Sequence, residues 1–408
     1  MKITIFIVIG FLFLLYPTSS NGIIRDSSLN VIFDWSIVYL LLIVVSFFYT
    51  KFDIKNVIIA FSIFAYLCIV TIISNKSDFY SEFSIARVAP LCLFLLLTTM
   101  KLELKISMNK LFAIFDLAIM LIIVCNILIL LKNNFIERFI IDNYSQLYKE
   151  ATSNMFIMKR PVFTFGVYTF ASYFYSLFFL LSFYSYNVTS KYKYIIICFV
   201  LLIFNILLAS NFSMFSSLYM VFIILNSLIR NKKSREILIF IIFLFMVGIW
   251  LVNNQSLLSH YEESLFSENN GFVGRYSSSG VLNVNENYLE TNYNIGFNIV
   301  RNCKLTYTDS GYLVLRLMGG WILIMPLYYL LYKFMKNNLK KNYLLFFIIT
   351  LVFESALPIS TYIKFVYAMF FCIIYLSSLR SYEKMIIRST KKVYFSKKIY
   401  KSSRCMKR

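Results

Sequence analysis

The chain has 408 residues, of which 60% are hydrophobic and 14% are charged, and its mean hydropathy is +0.73. About a quarter of the residues of a soluble domain are charged, so this composition excludes an ordinary soluble enzyme or binding module. The net charge of +21 would suit a nucleic-acid-binding protein, but the basic residues lie between apolar segments and in the tail 380–408, as in membrane proteins.

Apolar runs long enough to cross a bilayer core of roughly 30 Å as helices recur along the chain. In order, we expect membrane-spanning helices near residues 3–20, 31–50, 56–74, 87–100, 109–131, 162–186, 193–209, 212–229, 236–252, 312–334, 343–357 and 361–379. The strands of a membrane barrel would alternate polar and apolar residues, and these runs do not. The sequence therefore predicts an all-α, polytopic integral membrane protein, one domain over 1–408 with about 12 transmembrane helices.

The first run, 3–20, follows a lysine and is succeeded by small residues, which is also the pattern of a cleaved signal peptide. No A-x-A cleavage pattern follows it, and further spans come after it. We expect a retained helix; cleavage would leave the orientation of the other spans unchanged.

Connections rich in lysine and arginine alternate with connections that are poorer in them, and this pattern predicts the orientation of the chain in the membrane. Connections such as RNKKSR at 230–235 are rich in them, as is the tail 380–408, and the intervening ones are poorer. With the rich side in the cytoplasm, both termini are cytoplasmic and the long loops 132–161 and 253–311 lie outside. The tail also carries aromatic residues that would suit RNA, but a basic segment beside an anionic leaflet explains it better, so no nucleic-acid partner is expected.

The large outer loop, 253–311, is longer than a connection needs, and such loops are usually functional. No repeat relates the two halves of the chain, which disfavours a transporter built from duplicated bundles. The chain has one histidine, His260, and no H-E-x-x-H motif or Walker loop. We therefore expect neither a metal nor a cofactor.

Charged residues inside predicted spans are costly and usually functional. In the predicted orientation most of them lie near the outer end of their spans: Asp34, Arg87, Arg316, Glu354 and Lys364, with Arg160 at the entrance of the sixth span and Asp116 as an inner exception. The alternative is that these side chains reach the interface or pair across helices. The planar guanidinium suits phosphate, so the arginines at the outer side predict an anionic, phosphorylated ligand: Arg87, Arg160, Arg275, Arg301 and Arg316. The aromatic residues suit the interface belts of a membrane protein first, and some outer tyrosines such as Tyr312 could also stack on sugar rings.

Several segments between residues 155 and 380 carry a family resemblance: MKRPVFTFG, LLASNFSMFSSLYMVF, GFVGRYSS, NYNIGFNIV and TDSGYLVLRLMGGW. In order and spacing they resemble the Wzy-type O-antigen polymerases, within the superfamily of O-antigen polymerases and ligases; residues 1–150 resemble it in hydropathy alone. The resemblance implies a metal-independent glycosyltransferase of the bacterial inner membrane. Family members join polyprenyl-diphosphate-linked oligosaccharide repeat units of O-antigen or capsule on the outer face.

A ligase-type glycosyltransferase and a lipid-linked oligosaccharide flippase are the alternatives. The implied partners are polyprenyl-diphosphate-linked glycans and the lipid bilayer, with a chain-length regulator and a flippase as further ones. Neither alternative changes the expected all-α membrane architecture.

The resemblance also implies roles for single residues. Arg160 matches the basic residue before the sixth span and Arg275 the arginine of the GR element, and both would contact the diphosphate. Asp309 stands where the ligases of the superfamily carry a histidine and would be the general base or orient the acceptor sugar. Arg301 departs from the family spacing, because the next glycine comes one residue early. Near Asp309, further residues would complete the site or allow close approach of chain or ligand: Tyr312, Arg316, Gly311, Gly319 and Gly320.

Overall fold

The computed structural model describes residues 51–74, 85–101, 108–144, 149–230, 234–255, 258–259, 261–262, 310–339, 343–357, 359–361, 365–366 and 368–384. Within these ranges the regular secondary structure is helical apart from two short strands, β1 (Lys51–Phe52) and β2 (Met100–Lys101), which pair antiparallel. The all-α class expected from the sequence is confirmed for this part of the chain.

Twelve helices of the described ranges are named in chain order. They are α1 (Ile54–Ser74), α2 (Ile85–Thr98), α3 (Met108–Leu130), α4 (Asn134–Tyr144), α5 (Lys149–Ile157), α6 (Tyr168–Thr189), α7 (Tyr192–Leu207), α8 (Asn211–Arg230), α9 (Ser234–Asn253), α10 (Gly311–Leu339), α11 (Tyr343–Glu354) and α12 (368–384). Short 3-10 turns cover Phe163–Phe165 and Ile359–Thr361.

Three helical segments of the described chain are long and apolar enough to cross a membrane: Met108–Leu130, Asn211–Arg230 and Met318–Leu339. Shorter apolar helices accompany them, among them Tyr192–Leu207 and Tyr343–Glu354. These apolar helices indicate a membrane protein, as the sequence predicts.

Helix α6 lies at the centre of the bundle. Every residue from Thr169 to Phe183 is buried, and the helix packs against α7 and α8. Aromatic, apolar and small hydroxyl-bearing residues occupy all of its sides, which is the composition of a helix surrounded by other helices. The helix ends at Thr189 because Ser190 adopts a left-handed conformation, φ 55°, and donates its backbone N–H to the Tyr186 carbonyl at 2.7 Å.

The start of α6 differs from the span 162–186 expected from hydropathy. Residues 160–167, here called the entry loop, stay outside the helix, which begins at Tyr168. Pro161 cannot donate a backbone hydrogen bond, and Phe163 and Gly166 have φ values of 48° and 79°. Such left-handed backbone cannot continue an α-helix, so the apolar residues of the entry loop fold back on the bundle instead.

Helix α10 is interrupted where the sequence predicts one continuous span. Gly320 has φ 63° and ψ −164°, so the helix Gly311–Leu339 consists of two parts joined at this residue. At Gly319 a Cβ atom would lie 2.7 Å from the Cβ of Leu323. The Gly319 carbonyl, which the break releases, accepts a hydrogen bond from the Tyr66 hydroxyl of α1 at 3.0 Å. The Tyr66 side chain of α1 thus reaches the backbone of α10 at Gly319.

The predicted outer connection 132–161 contains two helices, α4 and α5. The Asn133 side chain accepts a hydrogen bond from the backbone N–H of Ile136 at 3.2 Å, as a helix N-cap does. Helix α4 exposes Phe135 and Phe139 although it also carries Glu137 and Arg138. This amphipathic pattern is typical of a helix that lies in a membrane interface.

Candidate functional site

Arg160 lies in a turn at the beginning of the entry loop. The turn is closed by a hydrogen bond from the Arg160 backbone N–H to the Met155 carbonyl at 2.8 Å, and Lys159 adopts a positive φ of 54°. The guanidinium lies above the ring of Tyr168, with 5.6 Å between Cζ and the ring centroid, and Nη1 is 3.6 Å from the Met155 sulfur. The residue is 7% exposed. The charge is therefore held between an aromatic face and a thioether, both weak partners.

Arg160 has no carboxylate partner among the residues that the structure describes. The ion pairs there join Lys149 to Asp142 and Lys193 to Asp116. Burial lowers the pKa of the Arg160 guanidinium, and the nearby hydroxyls of Tyr168 and Tyr261 act in the opposite direction. Arginine remains protonated at neutral pH, and a buried cation without an anion is costly. An anion beside the guanidinium would lower this cost.

Tyr261, in the large loop 253–311, belongs to the same cluster. Its hydroxyl donates to the Ile206 carbonyl at 2.7 Å, at the end of α7. Burial raises the pKa of the Tyr261 hydroxyl, while a hydrogen bond to Ser213 and the charge of Arg160 oppose this rise. Tyr261 thus ties the beginning of the large loop to the α7–α8 turn and to Arg160.

Polar side chains of the segment LLASNFSMFSSLYMVF connect three helices through hydrogen bonds. Ser210 and Ser213 cap the start of α8 reciprocally, each accepting the backbone N–H of the other at 3.1 Å or less. The Asn205 amide nitrogen lies within hydrogen-bond distance of the Ser216 and Ser217 hydroxyls, at 2.6 and 2.8 Å. The Ser216 hydroxyl is in turn 2.8 Å from that of Ser172 on α6. These contacts join α6, α7 and α8 beside the Tyr261 cluster.

A second ionisable group, Glu354, lies at the end of α11. It is 1% exposed, and its Oε1 atom accepts hydrogen bonds from the Ser360 hydroxyl at 2.9 Å and backbone N–H at 3.4 Å. The carboxyl is close enough to interact electrostatically with the hydroxyls of Tyr173, Tyr312 and Tyr328. Tyr173 lies on α6, five residues after Tyr168, so the Arg160 and Glu354 clusters pack against the same end of the central helix.

The described residues of the expected substrate site take different positions. The Tyr312 hydroxyl donates to the Leu351 carbonyl at 2.9 Å and its ring packs against Tyr328, so it holds α10 to α11. Arg316 is partly buried on α10, in the part before the break at Gly320. Arg87 is part of α2, and its side chain is not among those described. Other expected residues lie outside the described ranges: Asp34, Arg275, Arg301, Asp309 and Lys364.

Asp116, the inner exception among the charges, forms an ion pair with Lys193 at the start of α7. Pairing across helices, the alternative considered from the sequence, therefore explains this residue. The pair lies at the opposite end of the helices from Arg160, because α7 starts at Tyr192 and its other end, at Ile206, contacts Tyr261.

Sequence reasoning missed Tyr168, Tyr261 and Met155. The chain contains 31 tyrosines, and nothing in the local pattern distinguishes the two that meet Arg160. Only the packing of α6, α7 and the large loop brings them together. Within the described ranges, no group of three or more His, Cys, Asp or Glu side chains is arranged to hold a metal ion.

No protein-family model, curated protein or solved structure matches this chain. The chemistry of the site therefore rests on its own residues.

Proposed function

We propose that the chain is a Wzy-type polysaccharide polymerase, a membrane glycosyltransferase that joins polyprenyl-diphosphate-linked oligosaccharide repeat units. The observation that carries this proposal is the buried Arg160, which lies against Tyr168 without a carboxylate partner in the described part of the chain. A diphosphate offers the oxygen atoms that a guanidinium binds through two parallel hydrogen bonds. Its lipid anchor would hold it at the end of the helices, where Arg160 lies.

The proposed topology has about 12 spans in the bacterial inner membrane, with both termini cytoplasmic and the loop 253–311 outside. Two features support it. Arg160, Tyr261 and Glu354 all lie at helix ends that the basic-residue pattern assigns to the outer side. The Asp116–Lys193 pair lies at the ends assigned to the cytoplasmic side.

In the proposed reaction an acceptor sugar hydroxyl attacks the anomeric carbon of the donor chain. The new glycosidic C–O bond forms, the C–O bond to the diphosphate breaks, and the lipid diphosphate leaves with its electron pair. Asp309 accepts the hydroxyl proton, Tyr312 contributes to the sugar site, and the arginines neutralise the leaving group: Arg160, Arg275, Arg316, Arg301 and Arg87. The donor is already activated, so the reaction needs no cofactor.

A deletion strain complemented with variants tests the proposal through a gel of its surface polysaccharide. Wild type should restore the ladder, whereas Arg160→Ala and Asp309→Asn should leave a single repeat unit attached. Arg160→Lys keeps the charge without the bidentate geometry and should give a short, weak ladder. Immunoblots of membranes control for the amount of each variant.

Other outcomes of this experiment separate the alternatives. Loss of every repeat unit in the deletion strain would indicate a flippase or a ligase and would overturn the polymerase. A full ladder with Arg160→Ala would remove the diphosphate role of Arg160, and a full ladder with Asp309→Asn would remove the role of that carboxylate as the base.

A further inference from the structure

The entry loop is attached to the bundle by a buried hydrogen-bond network between α3 and α6. Asn126 on α3 donates through Nδ2 to the Tyr175 hydroxyl at 2.7 Å, and Tyr175, on α6, donates to the Pro161 carbonyl. The Oδ1 atom of Asn126 accepts the backbone N–H of Phe163 at 3.0 Å. Both Asn126 and Tyr175 are 0% exposed. We call these contacts the Asn126–Tyr175 network.

The Asn126–Tyr175 network has a cost in desolvation free energy, because an amide and a phenol are withdrawn from water inside an apolar bundle. Packed apolar side chains would hold α3 to α6 at lower cost. Both polar atoms of the Asn126 amide and the Tyr175 hydroxyl are satisfied, and two of their partners are backbone atoms of the entry loop. The network therefore holds this loop as well as the two helices.

The backbone around Arg160 requires such support. Lys159 and Phe163, on either side of it, have φ values of 54° and 48°. Non-glycine residues in this region are strained by about 1–2 kcal/mol each and persist only where surrounding contacts hold them. The Pro161 carbonyl bond to Tyr175 holds the residue directly after the arginine, and the Phe163 N–H bond to Asn126 holds the loop two residues further on.

We propose that Asn126 and Tyr175 are positioning residues for Arg160, which orient its guanidinium for an anionic diphosphate without touching that ligand. The inference rests on the proposed function, since it concerns the same diphosphate site. Loosening the entry loop would leave the charge in place but lose the geometry on which two parallel hydrogen bonds depend.

The test measures binding of farnesyl diphosphate to the purified full-length chain in detergent by isothermal titration calorimetry. Tyr175→Phe removes one hydroxyl and should weaken binding about tenfold. Tyr375→Phe is the matched control, because Tyr375 is also 0% exposed and its hydroxyl lies 2.6 Å from that of Ser185, far from the entry loop. The Tyr375→Phe variant should bind farnesyl diphosphate with an affinity within about twofold of that of wild type. Both variants lose a buried hydrogen bond, so both should melt at a lower temperature.

A second measurement asks whether the effect passes through Arg160. In an Arg160→Ala background, Tyr175→Phe should weaken binding no further, because the group that it positions is gone. Asn126→Ala removes the contacts of the amide to Phe163 and to Tyr175. It should reproduce the loss seen with Tyr175→Phe in the wild-type background, which gives an independent variant if one of them folds poorly.

The outcomes distinguish the two proposals. Equal binding by wild type and Arg160→Ala, or no binding by wild type, overturns the diphosphate site and the positioning role together. Weak binding by Arg160→Ala with wild-type affinity in Tyr175→Phe overturns the positioning role alone. An additive loss in the double variant also contradicts it, because the network would then act on binding independently of Arg160.

Discussion

The Tyr66 hydroxyl on α1 donates a hydrogen bond of 3.0 Å to the carbonyl oxygen of Gly319, one residue before the break in α10. A helix that breaks inside a membrane protein releases backbone groups, and these need partners from neighbouring helices. Tyr66 supplies one such partner, and this hydrogen bond links α1 to the backbone beside the break in α10.

Gly319→Ala should destabilise the protein by about 1–3 kcal/mol, because the new Cβ would lie 2.7 Å from the Leu323 Cβ and 2.9 Å from its Cδ2. Gly248→Ala is the control, since no atom lies within 4 Å of the Cβ position there and alanine favours a helix. Thermal unfolding in detergent measures both variants. Equal melting temperatures for the two would contradict the close contact at Gly319.

Glu354→Leu should destabilise the chain by about 1–3 kcal/mol, because the Ser360 hydroxyl and backbone N–H would lose their acceptor in a buried place. Glu354→Gln keeps an acceptor oxygen and should cost much less in thermal unfolding. If both variants lowered the melting temperature equally, the charge of Glu354 rather than its hydrogen bonds to Ser360 would be what the fold requires.

Tyr261→Phe should weaken farnesyl diphosphate binding about threefold to tenfold, because the loss of the hydroxyl releases the large loop from Ile206. Tyr192→Phe serves as the comparison, since Tyr192 is 77% exposed on α7 and its hydroxyl lies away from the cluster. Titration calorimetry measures both. Unchanged binding by Tyr261→Phe would mean that the loop attachment contributes nothing to the site.

Asp116→Asn should lower stability by at most about 1 kcal/mol, because the ion pair with Lys193 is partly exposed and screened by water. Asp142→Asn breaks the more exposed pair with Lys149 and should have a smaller effect. Unfolding at low and high salt gives the measurement, and both effects should shrink at high salt. A loss of several kcal/mol for Asp116→Asn would show that the pair organises the bundle.

Within the described ranges, hydropathy predicted where helices occur, because burial in a membrane demands long apolar runs; the expected spans 3–20 and 31–50 lie outside these ranges. It failed at the start of α6, since Val162, Phe163 and Phe165 are as apolar as the helix that follows but belong to the entry loop. It also missed the break at Gly320, although the glycine pair itself was recognised as a place of close approach. Conformation at these points depends on backbone dihedral angles, which hydropathy does not report.

The site was predictable only in part. Arg160 could be singled out from the sequence because it is an arginine at the outer entrance of a predicted span, where a guanidinium suits a phosphorylated ligand. Its neighbours Tyr168 and Tyr261 could not, and neither could the Asn126–Tyr175 pair, because such contacts depend on how each helix is rotated about its axis. An apolar run is equally compatible with every rotation.

Helix α6 is buried on every side from Thr169 to Phe183, so lipid tails do not contact this stretch. Changes in bilayer thickness act first on helices that face lipid, which tilt to match it. They reach α6 only through its neighbours. We therefore expect Arg160, just before this helix, to keep its depth relative to the bundle when the membrane composition changes, so that the proposed lipid-anchored substrate would move relative to the arginine rather than with it.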